Sequence, residues 1–151
     1  MQSDNDKTTE SDVSVESSSL ANSADADVRN VVLGSGAGSG VTTGTRNVLA
    51  GYNSGRDIAS GRDNVFVGDS VAYRTQGSNS NVLIGSGAMT LATGACSSNT
   101  AIGRNAAYAY NGNETVAVGA YSLSRSVGGP CTAVGTNAGG TTTTGSRQTL
   151  V

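Results

Sequence analysis

One short pattern recurs seven times along this chain, and a motif repeated at that interval has to be built as a stack. The runs are N-V-V-L-G from Asn30, N-V-L-A-G from Asn47, N-V-F-V-G from Asn64, N-V-L-I-G from Asn81, N-T-A-I-G from Asn99, T-V-A-V-G from Thr115 and C-T-A-V-G from Cys131. Successive copies start 16 to 18 residues apart, and an eighth run, T-L-V, begins at Thr149. A unit this short cannot bury its own apolar stripe, so it becomes stable only against its neighbours.

Each column of the repeat has a physical reading. Gly34, Gly51, Gly68, Gly85, Gly103, Gly119 and Gly135 form a complete column directly after the apolar run. A glycine recurring at a strand end marks a bend with positive φ or a close backbone approach. The three residues before it are apolar or Thr in every copy, which predicts a short strand buried on both faces. Three positions after it stand Ala37, Ser54, Val71, Ala88, Ala106, Ser122 and Ala138, residues of a size that suits a second, tightly packed inner strand. Gly44, Gly61, Gly77, Gly94, Gly112, the pair Gly128 and Gly129, and Gly145 follow near the end of each unit, as expected of a second corner. The unit therefore reads as strand, bend, strand, turn. The first column is Asn in five copies, Asn30, Asn47, Asn64, Asn81 and Asn99. It is expected either to hydrogen-bond along the stack as amide ladders do or to serve as a plain turn residue.

Composition separates this body from what precedes it. Residues 1–29 carry Asp4, Asp6, Glu10, Asp12, Glu16, Asp25 and Asp27 against Lys7 and Arg29, a net charge of −5, and all 22 glycines lie after residue 33. Such a polar segment cannot bury enough surface to offset its ordering entropy, so 1–29 is expected to be an extended acidic arm, disordered unless docked on a partner. It lacks the basic start and apolar run of a secretory signal, and no segment approaches the roughly 20 apolar residues of a membrane span. The body, 30–151, is expected to be an all-β solenoid of about seven coils, each of 16–18 residues. At a rung spacing of ~4.8 Å it would be only ~34 Å long. With two short strands per coil, small inner residues and open ends, it would leave an apolar face uncovered, which favours self-association.

The pattern N-x-A-[IV]-G-x-x-[AS], clearest in Asn99–Ala106, Thr115–Ser122 and Cys131–Ala138, resembles the left-handed β-roll repeats of trimeric autotransporter adhesin heads. Similar repeats occur in fibre proteins of bacteriophages and other viruses. The resemblance covers 30–151 and implies a parallel homotrimer packed about a threefold axis. Two departures stand out: the units here are slightly longer, and the sequence shows no secretion signal, heptad stalk or membrane anchor. These departures move the expectation toward a virion protein.

Catalytic chemistry is not expected. The chain has no His, so no Ser-His-Asp or Cys-His pair can form. The body acids Asp57, Asp63, Asp69 and Glu114 show no general acid/base spacing. The strings at 34–40 and 85–88 look like phosphate-binding glycine loops but lack the Gly-Lys-Ser/Thr and the helix that would follow. Asp57, Asp63 and Asp69 lack the nonapeptide spacing of calcium-binding β-rolls. No catalytic, cofactor or metal site is therefore expected. Cys96 and Cys131 lie two coils apart, ~10 Å at that rung spacing and beyond the reach of a disulfide, so free thiols are expected. Arg46, Arg62, Arg104, Arg125 and Arg147 fall in bends and read as solvated turn charges rather than a nucleic-acid stripe, because neighbouring acids dilute their field. Tyr52, Tyr73, Tyr108, Tyr110 and Tyr121 suit subunit packing or contact with a protein or glycan. The Thr141–Thr144 run is similar to the flat Thr arrays of ice-binding solenoids but occupies one coil only.

The expected function is that of a structural virion protein, a fibre or capsid-decorating component of a phage. It is expected to be homotrimeric, with 1–29 anchoring it to capsid or tail proteins and the roll projecting outward toward a host receptor or glycan. The alternatives are the head fragment of a bacterial surface adhesin and a ligand- or ice-binding solenoid.

Overall fold

The computed structural model describes residues 29–125, 129–141 and 147–151. The expected arm up to residue 28, Gly128 and Gly145 of the second corner, and the Thr run after Thr141 lie outside the described residues.

The body is a parallel β-solenoid of about seven coils. Its strands are β1 (Val31–Leu33), β2 (Val48–Ala50), β3 (Val65–Val67), β4 (Val82–Ile84), β5 (Thr100–Ile102), β6 (Val116–Val118), β7 (Cys131–Val134) and β8 (Gln148–Leu150). They form one eight-stranded sheet in chain order, every pair parallel. Identical columns pair: Val32 with Leu49, Leu49 with Phe66, Phe66 with Leu83, Leu83 with Ala101. The eighth rung enters at Gln148, opposite Cys131. Each rung therefore repeats the same three-residue strand, and the repeat length is the path once around a coil.

Two expectations are corrected. The first concerns the strands, which are not buried on both faces. Only the central residue of each run is buried, while the residues flanking it point outward and are half-buried or exposed. In an extended run, side chains alternate between faces, and three residues can send only one of theirs inward. The second concerns the segment after the glycine, which is no strand but a chain of turns. Every second residue there has left-handed φ: Gly85 (125°), Gly87 (71°) and Met89 (52°) in one coil, Gly103 (132°), Asn105 (54°) and Ala107 (51°) in the next. A strand needs negative φ throughout. The alternation bends the backbone tightly while still aiming N–H groups along the stack. The Asn105 N–H donates back to Ser86 O at 2.9 Å, and the Ala107 N–H donates forward to Ser122 O at 2.8 Å.

The interior is one continuous core made of the strand centres, the small column after the bend and the far corner. Residue size shifts between its two sides along the stack. The strand centres run Val32, Leu49, Phe66 and Leu83, then shrink to Ala101, Ala117 and Ala133. The facing column does the reverse, with Gly38, Gly55 and Ala72 giving way to Met89, Ala107 and Leu123. A Cβ at Gly55 would meet Leu49 Cδ2 at 2.8 Å and Phe66 Cδ2 at 3.0 Å. Large faces small where Leu49 meets Gly55, Phe66 meets Ala72 and Ala117 meets Leu123, while Leu83 with Met89 and Ala101 with Ala107 break the alternation.

The glycine column sits where adjacent coils touch backbone to backbone. At Gly85 (φ 125°) an added Cβ would lie 2.6 Å from Gly103 O; at Gly103 (φ 132°) it would lie 2.7 Å from Gly119 O. At Gly135 the φ is similar, but the nearest atoms would be 3.8 Å away. Gly85→Ala is therefore expected to lower stability by about 3 kcal/mol or more, strain plus a clash with backbone that cannot yield without breaking a rung. Gly135→Ala should cost only the strain, about 1–3 kcal/mol. Denaturation midpoints at a fixed protein concentration check the order, and equal losses would contradict it.

Candidate functional site

The Asn column forms a ladder inside the solenoid. Asn64 Nδ2 donates to Asn47 Oδ1 at 2.9 Å, Asn81 to Asn64 at 3.0 Å, Asn99 to Asn81 at 3.2 Å, and Asn47 to Asn30 at 3.1 Å. The same Oδ1 atoms accept the next Asn backbone N–H at 2.8 to 3.1 Å. Each Nδ2 also donates to a carbonyl at the far end of its own coil: Asn30 to Gly44, Asn47 to Gly61, Asn64 to Ser78, Asn81 to Cys96 and Asn99 to Gly112. One carboxamide thus closes its own coil and locks it to the one before. Asn is the residue that can do this, since a short side chain must supply two donors and a double acceptor at once. Asn47, Asn64, Asn81 and Asn99 are buried, so an unmet group there would be costly.

After Asn99 the ladder changes chemistry. The Thr115 N–H donates to Asn99 Oδ1 at 3.0 Å, while Thr115 Oγ1 lies 2.6 Å from the hydroxyl of Tyr110, which donates to Gly129 O at 2.8 Å. Tyr110 is the largest fully buried side chain, and burial pushes its hydroxyl pKa up. Cys96 and Cys131 are buried thiols. Burial also pushes the Cys96 thiol up, which withholds the thiolate that reacts.

Two surfaces remain. The turn face carries the charges and aromatics. Arg46 forms a two-pronged pair with Asp63 one coil on, at 2.6 and 3.0 Å, and Arg56 grips Asp57 at 2.7 and 2.8 Å while lying 3.7 Å over the Tyr73 ring. Arg104 lies over Tyr121 at 4.7 Å. These hydrogen bonds hold the Asp57 and Asp63 carboxyls below their usual range. Whatever they stabilise is present above the ordinary carboxylate range and is lost as pH falls through the lowered values. The Arg46–Asp63 pair is exposed and the Arg56–Asp57 pair only half-buried, so the contribution is small. Arg46 of the five bend arginines is thus tied to an acid, which spends part of the positive field that a polyanion would need.

The sheet face is different. Its two outward ranks hold Val31, Val48, Val65, Val82, Thr100, Val116 and Thr132 on one side, and Leu33, Ala50, Val67, Ile84, Ile102, Val118 and Val134 on the other. Ile84 and Ile102 are each 38% exposed and Val134 45%. In-register stacking turns these residues into one flat apolar stripe along the solenoid. Sequence reasoning took them for core. The continuous apolar run that misled it is also their signal, because a parallel sheet reads this way when both faces are covered. Among the described residues no group of three or more His, Cys, Asp and Glu could hold a metal, and no helix is long and apolar enough to cross a membrane.

No protein-family model matches the chain, and none of the curated proteins or solved structures is significantly similar to it.

Asn64→Leu removes four bonds and orphans the Ser78 carbonyl and the Asn81 donors; at ~1–3 kcal/mol for a buried orphan, a loss of about 3 kcal/mol or more is expected. Asn30→Ala, at the half-buried end of the ladder, should cost less, and the two unfolding midpoints make the comparison. Both thiols should resist a maleimide in the folded protein and react in denaturant, which mass spectrometry reads directly.

Proposed function

We propose that this chain is a non-enzymatic structural module: a homotrimeric β-roll, built as a fibre or capsid-decorating component of a virus particle and projecting outward from it. The observation that carries this reading is the apolar sheet face. Its Val and Ile ranks run the length of the solenoid, and soluble monomers rarely leave so continuous a patch in water. Copies of the same chain provide matching faces, and three faces meeting around an axis would bury the stripe completely. A trimer also fits a stalk-like role, since rungs held by backbone and amide bonds give a stiff body from few large side chains. The acidic segment 1–29 is the part proposed to attach to capsid or tail proteins, leaving the turn face with Tyr52, Tyr73 and Arg56 free to meet a host surface or glycan.

Light scattering during size exclusion tests the assembly, with a mass of three chains expected. Ile84→Lys combined with Ile102→Lys puts charges in the centre of the stripe and should give single folded chains with an unchanged circular dichroism spectrum. A folded wild-type monomer would overturn the trimer. Mass spectrometry of purified particles tests the location. Detection on a bacterial cell surface instead of on particles would favour the adhesin head, which shares this architecture.

A further inference from the structure

The ladder carboxamides are chemically guarded. An Asn side chain is lost when the backbone nitrogen of the next residue attacks it, so that neighbour decides its lifetime. Asn47, Asn64 and Asn81 are each followed by Val, and Asn99 by Thr, whose branched Cβ crowds the backbone. The N–H groups of these neighbours are also committed as rungs: Val48 donates to Asn64 O, Val65 to Asn81 O, Val82 to Asn99 O and Thr100 to Thr115 O, at 2.8 to 2.9 Å. Outside the ladder, the N–H after Asn79 donates to Arg62 O at 3.0 Å, and the N–H after Asn113 to Ser97 O at 3.1 Å. Asn111 differs in kind. It is exposed, and it belongs to the one Asn-Gly pair in the sequence, with Gly112. Glycine has no Cβ to obstruct the attack and the widest choice of backbone angles in which to make it.

We infer that Asn111 is a site of spontaneous modification, converting with time to aspartyl and isoaspartyl forms. Hydroxide removes the Gly112 N–H proton, and the nitrogen bonds to Asn111 Cγ. The Cγ–Nδ2 bond breaks and the amide nitrogen leaves as ammonia. Water then opens the five-membered imide at either carbonyl. One opening leaves an aspartyl residue; the other leaves an isoaspartyl residue, whose main chain runs through the former side chain and is one methylene longer. The Thr93 N–H donates to Asn111 Oδ1 at 2.8 Å. A donor on that oxygen draws charge from Cγ and stabilises the oxyanion that the attack generates.

The extra methylene falls between two anchored points. On one side Tyr110 is buried, and its hydroxyl donates to Gly129 O at 2.8 Å. On the other, Gly112 O accepts Asn99 Nδ2 at 2.9 Å, the bond that closes the coil begun by β5. A longer link displaces the Gly112 carbonyl, so the isoaspartyl form gives up that closure and leaves a buried amide donor unmet. The aspartyl form keeps the main-chain length and therefore the closure.

Incubating the folded full chain in mildly alkaline buffer tests this, read by tryptic digestion and fragmentation mass spectrometry. Cleavage after Arg104 and Arg125 isolates one peptide holding Asn105, Asn111 and Asn113, so the three are compared directly. Deamidation at Asn111 is expected to outrun the other two by about tenfold or more, the rate ratio of a barrier difference of roughly 1.4 kcal/mol, and to rise with pH. A protein isoaspartyl methyltransferase should label the aged chain and leave aged Asn111→Gln unlabelled, since the longer side chain cannot close the five-membered ring. Denaturant unfolding of the aged chain should reveal an earlier-melting population that aged Asn111→Gln lacks. Fresh Asn111→Asp, which carries the charge without the methylene, should lack it too. Equal rates at the three Asn residues would overturn the site. An isoaspartyl product that unfolds at the midpoint of the fresh chain would overturn its coupling to the ladder.

Discussion

The carboxamide of each buried Asn is the contact on which this fold turns. It reaches across its own coil to a carbonyl near the end of the circuit and down to the Oδ1 of the coil before. The first bond fixes the perimeter of the coil; the second fixes the register of the stack. Without the first, a coil of 17 residues with few inner side chains has little to hold it shut. Without the second, parallel rungs of three residues could slip, because short flat strands specify register weakly. A buried amide also exacts a high cost for any partial solution, since each missing bond leaves a polar group in a dry interior. The ladder therefore selects one arrangement sharply.

The glycine column follows from that closure. Once coils are clipped at the Asn corner, the opposite end of each strand must turn while touching the next coil, backbone on backbone. Nothing with a Cβ fits between Gly85 and Gly103. The turn that follows is made by left-handed residues in alternation, several of them not glycine, such as Asn105, Tyr121 and Leu123. Each such residue carries a conformational cost. That cost is offset because the alternation delivers N–H groups to acceptors in both neighbouring coils, so that every turn is also a rung.

The geometry leaves the outside divided. Strand residues on either side of the buried centre have nowhere to go but out, and the chain makes most of them Val or Ile, with Thr at 100 and 132. The turn side carries Arg, Asp and Tyr in pairs that satisfy one another. The interior between them is filled by one continuous apolar core. One side of the solenoid is thus an apolar strip and the other a polar, aromatic ledge.

Much of this was legible in the sequence because stacking repeats the same demand at the same interval. The period, the seven coils, the glycine column and the small column after the bend leave a mark in every copy, and the Asn column in five of the seven, so a weak signal becomes a firm one. The direction of the strand side chains was not legible. Val65, Phe66 and Val67 are equally apolar, and only the register of the pleat decides that Phe66 faces in and its neighbours out. Nor could composition show that the second side of each coil is a run of turns, since left-handed φ at Met89, Ala107 and Leu123 goes against the preference of those residues and is imposed by hydrogen bonds to coils above and below. The sequence alone settled that the chain is a stack of short coils and which residues mark its corners, because those demands are local and recur. The tertiary structure decided which face of each strand is core and how the backbone returns from one rung to the next, because those depend on contacts between coils that no single repeat contains.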